Sequence, residues 1–231
     1  MEVIENITDV KQNINAALER SGRKKDTVKI VAVTKTVPEE RILESYKGGH
    51  KIFGENKVQE WQKKSILLPK DCEWHLIGRL QTNKIKYLDE RIALIHSLDR
   101  YSLLEKLNAE GEKRQISWKT LIQVNVARDE SKTGLELEEV KDFIENVKDH
   151  SFVQVIGLMT IGALDATLDE TRGYFRKLRE TRDELIHKAV CTREELLHLS
   201  MGMSQDYELA VEEGATIVRV GSSIFGQRNN P

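Results

Sequence analysis

Lys35 closes a short apolar run, Val31-Ala32-Val33-Thr34, and is followed at once by Thr36-Val37-Pro38. Small and β-branched residues without polar alternation read as a strand covered on both faces. Pro38 presets φ for a first helical turn, and Glu39 and Glu40 place negative charge where the helix dipole favours it. The lysine therefore stands near the carboxyl end of a strand, where α/β folds bind their ligands. Partly stripped of water, its amine falls in pKa and can attack an aldehyde to form a Schiff base. The plain alternative is a strand-end lysine reaching into solvent.

Two segments near the carboxyl terminus point to an anion. Leu199-Ser200-Met201-Gly202-Met203-Ser204 reads as a strand end, a tight small-residue turn and a helix start, with Ser204 as N-cap and Asp206 in the first turn. Val218-Arg219-Val220-Gly221-Ser222-Ser223-Ile224-Phe225-Gly226 repeats that arrangement with a short final helix. Backbone N–H groups beside glycine, with a serine hydroxyl added, suit the phosphate site that barrels place after strands seven and eight. Either segment alone also reads as an ordinary capped turn. Together with a strand-end lysine they suggest pyridoxal 5′-phosphate. Arg219 would then lie near the pyridine ring. A guanidinium does not give up a proton, so it would leave the ring nitrogen unprotonated and the cofactor a weaker electron sink. The alternative for Arg219 is an ion pair inside the barrel.

The remaining polar residues carry less. His75, after Trp74 in an apolar strand, reads as a hydrogen-bonded core histidine rather than a base. His50, His96, His187 and His198 show no metal-ligand spacing. Glu55-Asn56 after Gly54 reads as a cap for the next helix in preference to a ligand contact, Met201 and Met203 as packing, and the charges of Arg172 to Lys188 as a solvated helix face.

Positioning these residues takes a repeated unit. Helical spacing of Val3, Ile4, Ile7, Val10, Ile14 and Leu18 predicts a helix over the first twenty residues, ended by Ser21-Gly22. Strands are expected at 31–35, 51–53, 73–77, 93–97, 120–126, 153–158, 195–199 and 216–220. Helices are expected between them, notably from Pro38 to Gly48-Gly49, from Lys84 to Asp89, from Arg100 to Ala109 closed by Gly111, from Glu136 to Val147, from Asp169 to Lys188 and from Ser204 to Glu213. Strands alternating with helices at about 29 residues per unit predict a single (β/α)₈ TIM barrel spanning 1–231. A doubly wound open sheet would place a glycine-rich fingerprint after its first strand, and none follows Lys35.

With 39% hydrophobic and 32% charged residues among 231, and a net charge of −2, the chain has neither a disordered composition nor a nucleic acid binder's basic excess. Cys72 and Cys191 lie far apart, which fits a reducing compartment. The acidic start MEVIENITDV lacks a signal pattern, and no apolar run is long enough to span a membrane, so a cytoplasmic location is expected.

The ordered segments VAVTKTVP, FGENKVQE, WHLIGRLQTNK, HSLDR, QVNVARDESKTG, GLMTIG, LSMGMSQDYELAVEEGAT and VRVGSSIFGQR run nearly end to end. On them the chain resembles the pyridoxal phosphate homeostasis protein family, also called YggS-like or proline synthetase co-transcribed. GLMTIG continues into Ala163-Leu164-Asp165 where a proline-containing turn is often seen in that family. The resemblance implies a barrel like the amino-terminal domain of alanine racemase (fold type III) and pyridoxal phosphate held as an internal aldimine on Lys35. It implies phosphate contacts from Ser200, Gly202, Gly221 and Ser222, Arg219 facing the ring nitrogen, and Asn56, His75 and Met159 lining the rest. It also implies a non-catalytic role in buffering or delivering the cofactor. Cofactor-free pyridoxal phosphate enzymes are the expected recipients, and neither nucleic acid nor membrane is an expected partner. A monomer is expected. The alternative is a low-activity amino-acid racemase. Racemisation needs an acid/base on each face of the intermediate, and alanine racemase draws its second base from an added β-domain. This chain stops after the eighth unit, so the carrier reading is preferred.

Overall fold

The computed structural model describes residues 2–25, 27–129, 131–163 and 165–227. Helix α1 (Glu2–Arg20) buries Val3, Ile7, Val10, Ile14, Ala17 and Leu18 along one stripe, as its spacing predicts. Eight strands follow: β1 (Lys29–Val33), β2 (Ile52–Glu55), β3 (Glu73–Leu76), β4 (Ile92–Leu98), β5 (Trp118–Gln123), β6 (Val153–Met159), β7 (His198–Ser200) and β8 (Ile217–Val220). They pair in sequence order, each parallel to the next, and β8 pairs with β1 to close the barrel. The connections carry α2 (Glu39–Lys47), α3 (Val58–Leu67), a 3₁₀ helix (Thr82–Tyr87), α4 (Tyr101–Arg114), α5 (Val140–Val147), α6 (Leu168–His187) and α7 (Tyr207–Glu212). A last short helix, α8 (Ser222–Phe225), follows β8. This is the (β/α)₈ barrel that the alternation predicts.

Side chains divide by the two-residue period of the strands. Val31 and Val33 of β1, Leu94 of β4, Leu121 of β5, Met159 of β6 and Ile217 of β8 share the inner cluster, joined by Ile77 just past β3. Their neighbours Ala32, Ile95, Ile122, Leu158, Val218 and Val220 belong to the layer between sheet and helices. Arg219 is two residues past Ile217 and His75 lies between the outward Trp74 and Leu76, so the same period carries both polar side chains into the barrel.

Several element boundaries differ from the sequence reading, each for a local reason. Gly111 lies inside α4 rather than closing it. A β-carbon there would sit 2.6 Å from Phe152 Cβ, so the glycine lets the helix approach that side chain. The helix ends instead at Gln115, in the left-handed region at φ 56°. Glu195 lies outside β7, because Thr192 and Glu195 cap one another through backbone N–H groups at 2.6 and 3.2 Å and hold a turn. Where an α-helix is expected at 84–89, the chain forms a 3₁₀ helix over Thr82–Tyr87. In the long helix the solvated-face reading holds only in part: Arg182 is buried, and Arg172, Arg176 and Arg179 all bond Glu213.

Candidate functional site

A cavity of about 590 Å³ opens at the carboxyl-terminal mouth of the barrel. Lys35, Asn56, Arg219, Gly221 and Ser222 line it, together with Ser204, Gln205, Asp206 and Gln227. Val33, Ile77, Ile161 and Met203 give it apolar walls. Met203 is thus a cavity residue, 42% exposed, whereas Met201 is fully buried packing as expected.

Lys35 lies two residues beyond β1, and a buried ion pair holds its loop from below. Glu55 ends β2 with no exposed surface, and one of its oxygens accepts from Thr34 Oγ1 at 2.6 Å and from Lys64 Nζ at 2.7 Å. Lys64 Nζ also donates to the Thr34 carbonyl at 2.7 Å. Burial pushes the Glu55 carboxyl above the usual range, against the pull of Lys64 and Thr34. Glu55 is therefore an anchor for the residue before Lys35, not a helix cap; α3 has Lys57 at its N-cap position and no side-chain cap. On the other side of the lysine, Thr36 adopts φ 60°, a conformation costly for a β-branched residue, and its N–H donates to Glu60 Oε2 at 3.1 Å. The backbone on both sides of Lys35 is thus pinned by α3 side chains.

Arg219 forms the inner wall. It is 4% exposed, and its amino groups donate to Ser200 Oγ at 2.6 Å and to the Thr160 carbonyl at 2.9 Å. Burial lowers its pKa to about 10, partly countered by Asp206, so it stays cationic at neutral pH. Asp206 accepts from the Met203 N–H at 2.6 Å, and burial raises its carboxyl above the ordinary value.

Four of the expected contact residues do not reach the cavity wall. His75 is 1% exposed, deep in the barrel, between Glu73 and His96. That is the hydrogen-bonded core histidine of the residue-level reading, rather than the pocket-lining one the resemblance implies. Met159 is buried in the inner apolar cluster, and Ser200 is buried behind Arg219. Gly202 shapes the loop from behind: φ is 91°, and a β-carbon would sit 2.5 Å from Ala210 Cβ. Ser204, the expected N-cap of α7, does something else. Its Oγ accepts from the backbone N–H groups of Gly221 at 3.1 Å and Ser223 at 3.3 Å. Two backbone donors already converge there on one oxygen, which is the donor geometry a phosphate oxygen requires.

Three buried histidines and the half-buried His198 give the molecule an acid limit. Burial lowers the pKa values of His50 and His198 to about 4, and depresses those of His75 and His96. Between pH 6.5 and 4 the unfolded chain therefore binds more protons than the folded one, and stability falls as pH drops through that window. For His50 alone the loss amounts to about 3 kcal/mol by pH 4. Urea midpoints measured from pH 7.5 to 4 are expected to fall steeply below pH 6.5. A flat profile over that range would contradict neutral burial of these rings.

Residues 6–229 match the family described as alanine racemase, N-terminal domain. A pyridoxal phosphate homeostasis protein of Aquifex aeolicus is 47% identical over 229 residues, covering 99% of both chains. One of Haemophilus influenzae is 35% identical over 232 residues, covering 99% of this chain and 97% of its own. Among solved structures, PipY of Synechococcus elongatus with pyridoxal phosphate bound is 33% identical, with a TM-score of 0.83 over 97% of this chain and all of PipY. On the barrel, the cavity and full-length identity of this level, the chain belongs to the pyridoxal phosphate homeostasis protein family.

Proposed function

We propose that this protein holds pyridoxal 5′-phosphate reversibly, with the Lys35 amine joined to the cofactor's aldehyde carbon, and buffers or delivers it without catalysing a reaction. The observation that carries this reading is that Lys35, Arg219, Gly221 and Ser222 line one cavity at the barrel mouth. Its volume suits a small phosphorylated aromatic ligand. The backbone donors at Gly221 and Ser223, which now meet at the Ser204 hydroxyl, would hold the phosphate, and Arg219 would meet the ring edge. When bound, the cofactor supplies a reactive aldehyde and a ring that withdraws electrons. Because Arg219 is donor-only and fixed by Ser200 and Thr160, it does not pass a proton to the ring nitrogen, and electron withdrawal stays weak.

A second reading, slow racemisation, has one observation in its favour. Asp206 is a cavity-lining carboxyl whose burial raises its pKa toward the range useful for a general acid. Two measurements separate the readings. Wild-type protein loaded with pyridoxal phosphate and mixed with a cofactor-free transaminase is expected to restore the transaminase, while α-deuterium exchange into a panel of amino acids stays at the rate of free pyridoxal phosphate. Exchange at enzyme-like rates that disappears in both Lys35→Ala and Asp206→Asn would replace the carrier with a racemase.

A further inference from the structure

We infer that Glu73, at the amino-terminal end of the barrel, positions Arg219 in the cavity at the opposite end, through a chain of hydrogen bonds that all donate in one direction. The inference depends on the cofactor reading only for what Arg219 touches. The chain runs through the barrel interior. Glu73 Oε1 lies 2.9 Å from His75 Nε2, His75 Nδ1 lies 2.9 Å from His96 Nε2, and His96 Nδ1 lies 2.9 Å from Ser200 Oγ. Ser200 Oγ in turn receives Arg219 at 2.6 Å.

The carboxylate end imposes the polarity, and the guanidinium end is compatible with it. A carboxylate only accepts, so His75 donates from Nε2 to Glu73. Both imidazoles are fully buried and neutral, each with one N–H, so His75 Nδ1 must accept from His96 Nε2–H. His96 Nδ1 must then accept from the Ser200 hydroxyl. At the other end Arg219 has only donors, and Ser200 accepts from it while giving its own proton to His96. Three neutral groups are therefore ordered head to tail between a cation and a carboxylate, an arrangement in which each bond polarises the next.

No carboxylate bonds Arg219 directly among the described residues; its other side-chain bond is to the Thr160 carbonyl. Asp206 acts on it through charge alone, so the chain is its one hydrogen-bonded path to a carboxylate among the described residues, and the two bonds use two of the five guanidinium donors. Glu73 is reachable from outside: its side chain is 36% exposed and lies 3.3 Å from Lys29 Nζ. In Glu73→Gln the amide can donate as well as accept, so the direction of the whole chain is no longer imposed.

The test reads side-chain ¹⁵N NMR on the full-length protein without cofactor, at pH 7, in wild type, Glu73→Gln and Lys29→Gln. Wild type is expected to show both His75 and His96 as Nε2–H tautomers. Glu73→Gln is expected to mix the tautomers at both rings and to move the Arg219 guanidinium resonances, whereas Lys29→Gln leaves both unchanged. The dissociation constant for pyridoxal phosphate is expected to rise on the order of tenfold in Glu73→Gln alone. An Nδ1–H tautomer at either histidine of the wild type overturns the polarity. Unmoved Arg219 resonances in Glu73→Gln overturn the positioning role. A wild type that binds no pyridoxal phosphate at all would sink the cofactor reading and leave the NMR result to decide the relay.

Discussion

Lys35→Ala is expected to lose the visible absorption band that the wild type develops with pyridoxal phosphate, while keeping the wild-type melting temperature. The lysine is half-buried at the mouth, and its removal opens no cavity in the core, so the stability change should stay within about 0.5 kcal/mol. The phosphate donors proposed at Gly221 and Ser223 and the proposed Arg219 contact remain, so the variant should still bind the cofactor noncovalently, at least about tenfold more weakly. Spectroscopic titration beside equilibrium dialysis separates the two effects. A band of wild-type intensity in Lys35→Ala would assign the covalent chemistry to another lysine.

The second large effect is on stability. Lys64→Met is expected to destabilise the fold by about 3–5 kcal/mol, because it leaves the Glu55 carboxylate without its cation in a site with no exposed surface. For a chain of this size that corresponds to a melting temperature lower by roughly 10 °C. The other Glu55 oxygen already lacks a hydrogen-bond partner, which leaves the Thr34 hydroxyl as the one remaining donor to the carboxylate among the described residues. The Thr34 carbonyl also loses its donor, so the cofactor band should weaken along with stability. Removing both charges in Glu55→Leu/Lys64→Met should recover most of the stability but not the band, since Thr34 remains unanchored. Thermal melts of both single variants and the double one close the cycle. A Lys64→Met protein as stable as the wild type would show that the pair is dispensable.

The barrel was legible because most units carry their own signal, a short apolar run followed by a helical stretch, although β3 and β7 lack β-branched residues and the connection after β3 is only a 3₁₀ helix. Lys35, Arg219 and Gly221 were legible because strand-end and turn positions are where polar residues mean something in this architecture. The Glu55–Lys64 pair was not. Glu55 ends a four-residue strand and Lys64 sits mid-helix among charged neighbours, and only the tertiary approach of α3 to β1 and β2 makes them a buried pair. Ser204 was legible as a capping residue type, but its partners, Gly221 and Ser223, are 17 and 19 residues away. The same limit applies to the interior histidines. Trp74-His75-Leu76 shows from alternation that His75 points opposite to its neighbours, yet nothing local says that His96 and Ser200 wait there to continue the chain.

The most direct test of the central claim is borohydride reduction of the protein loaded with pyridoxal phosphate, followed by proteolysis and mass mapping of the modified peptide. One pyridoxyl adduct, on Lys35, is the expected result. An adduct confined to a different lysine, or none despite saturating cofactor, would contradict it.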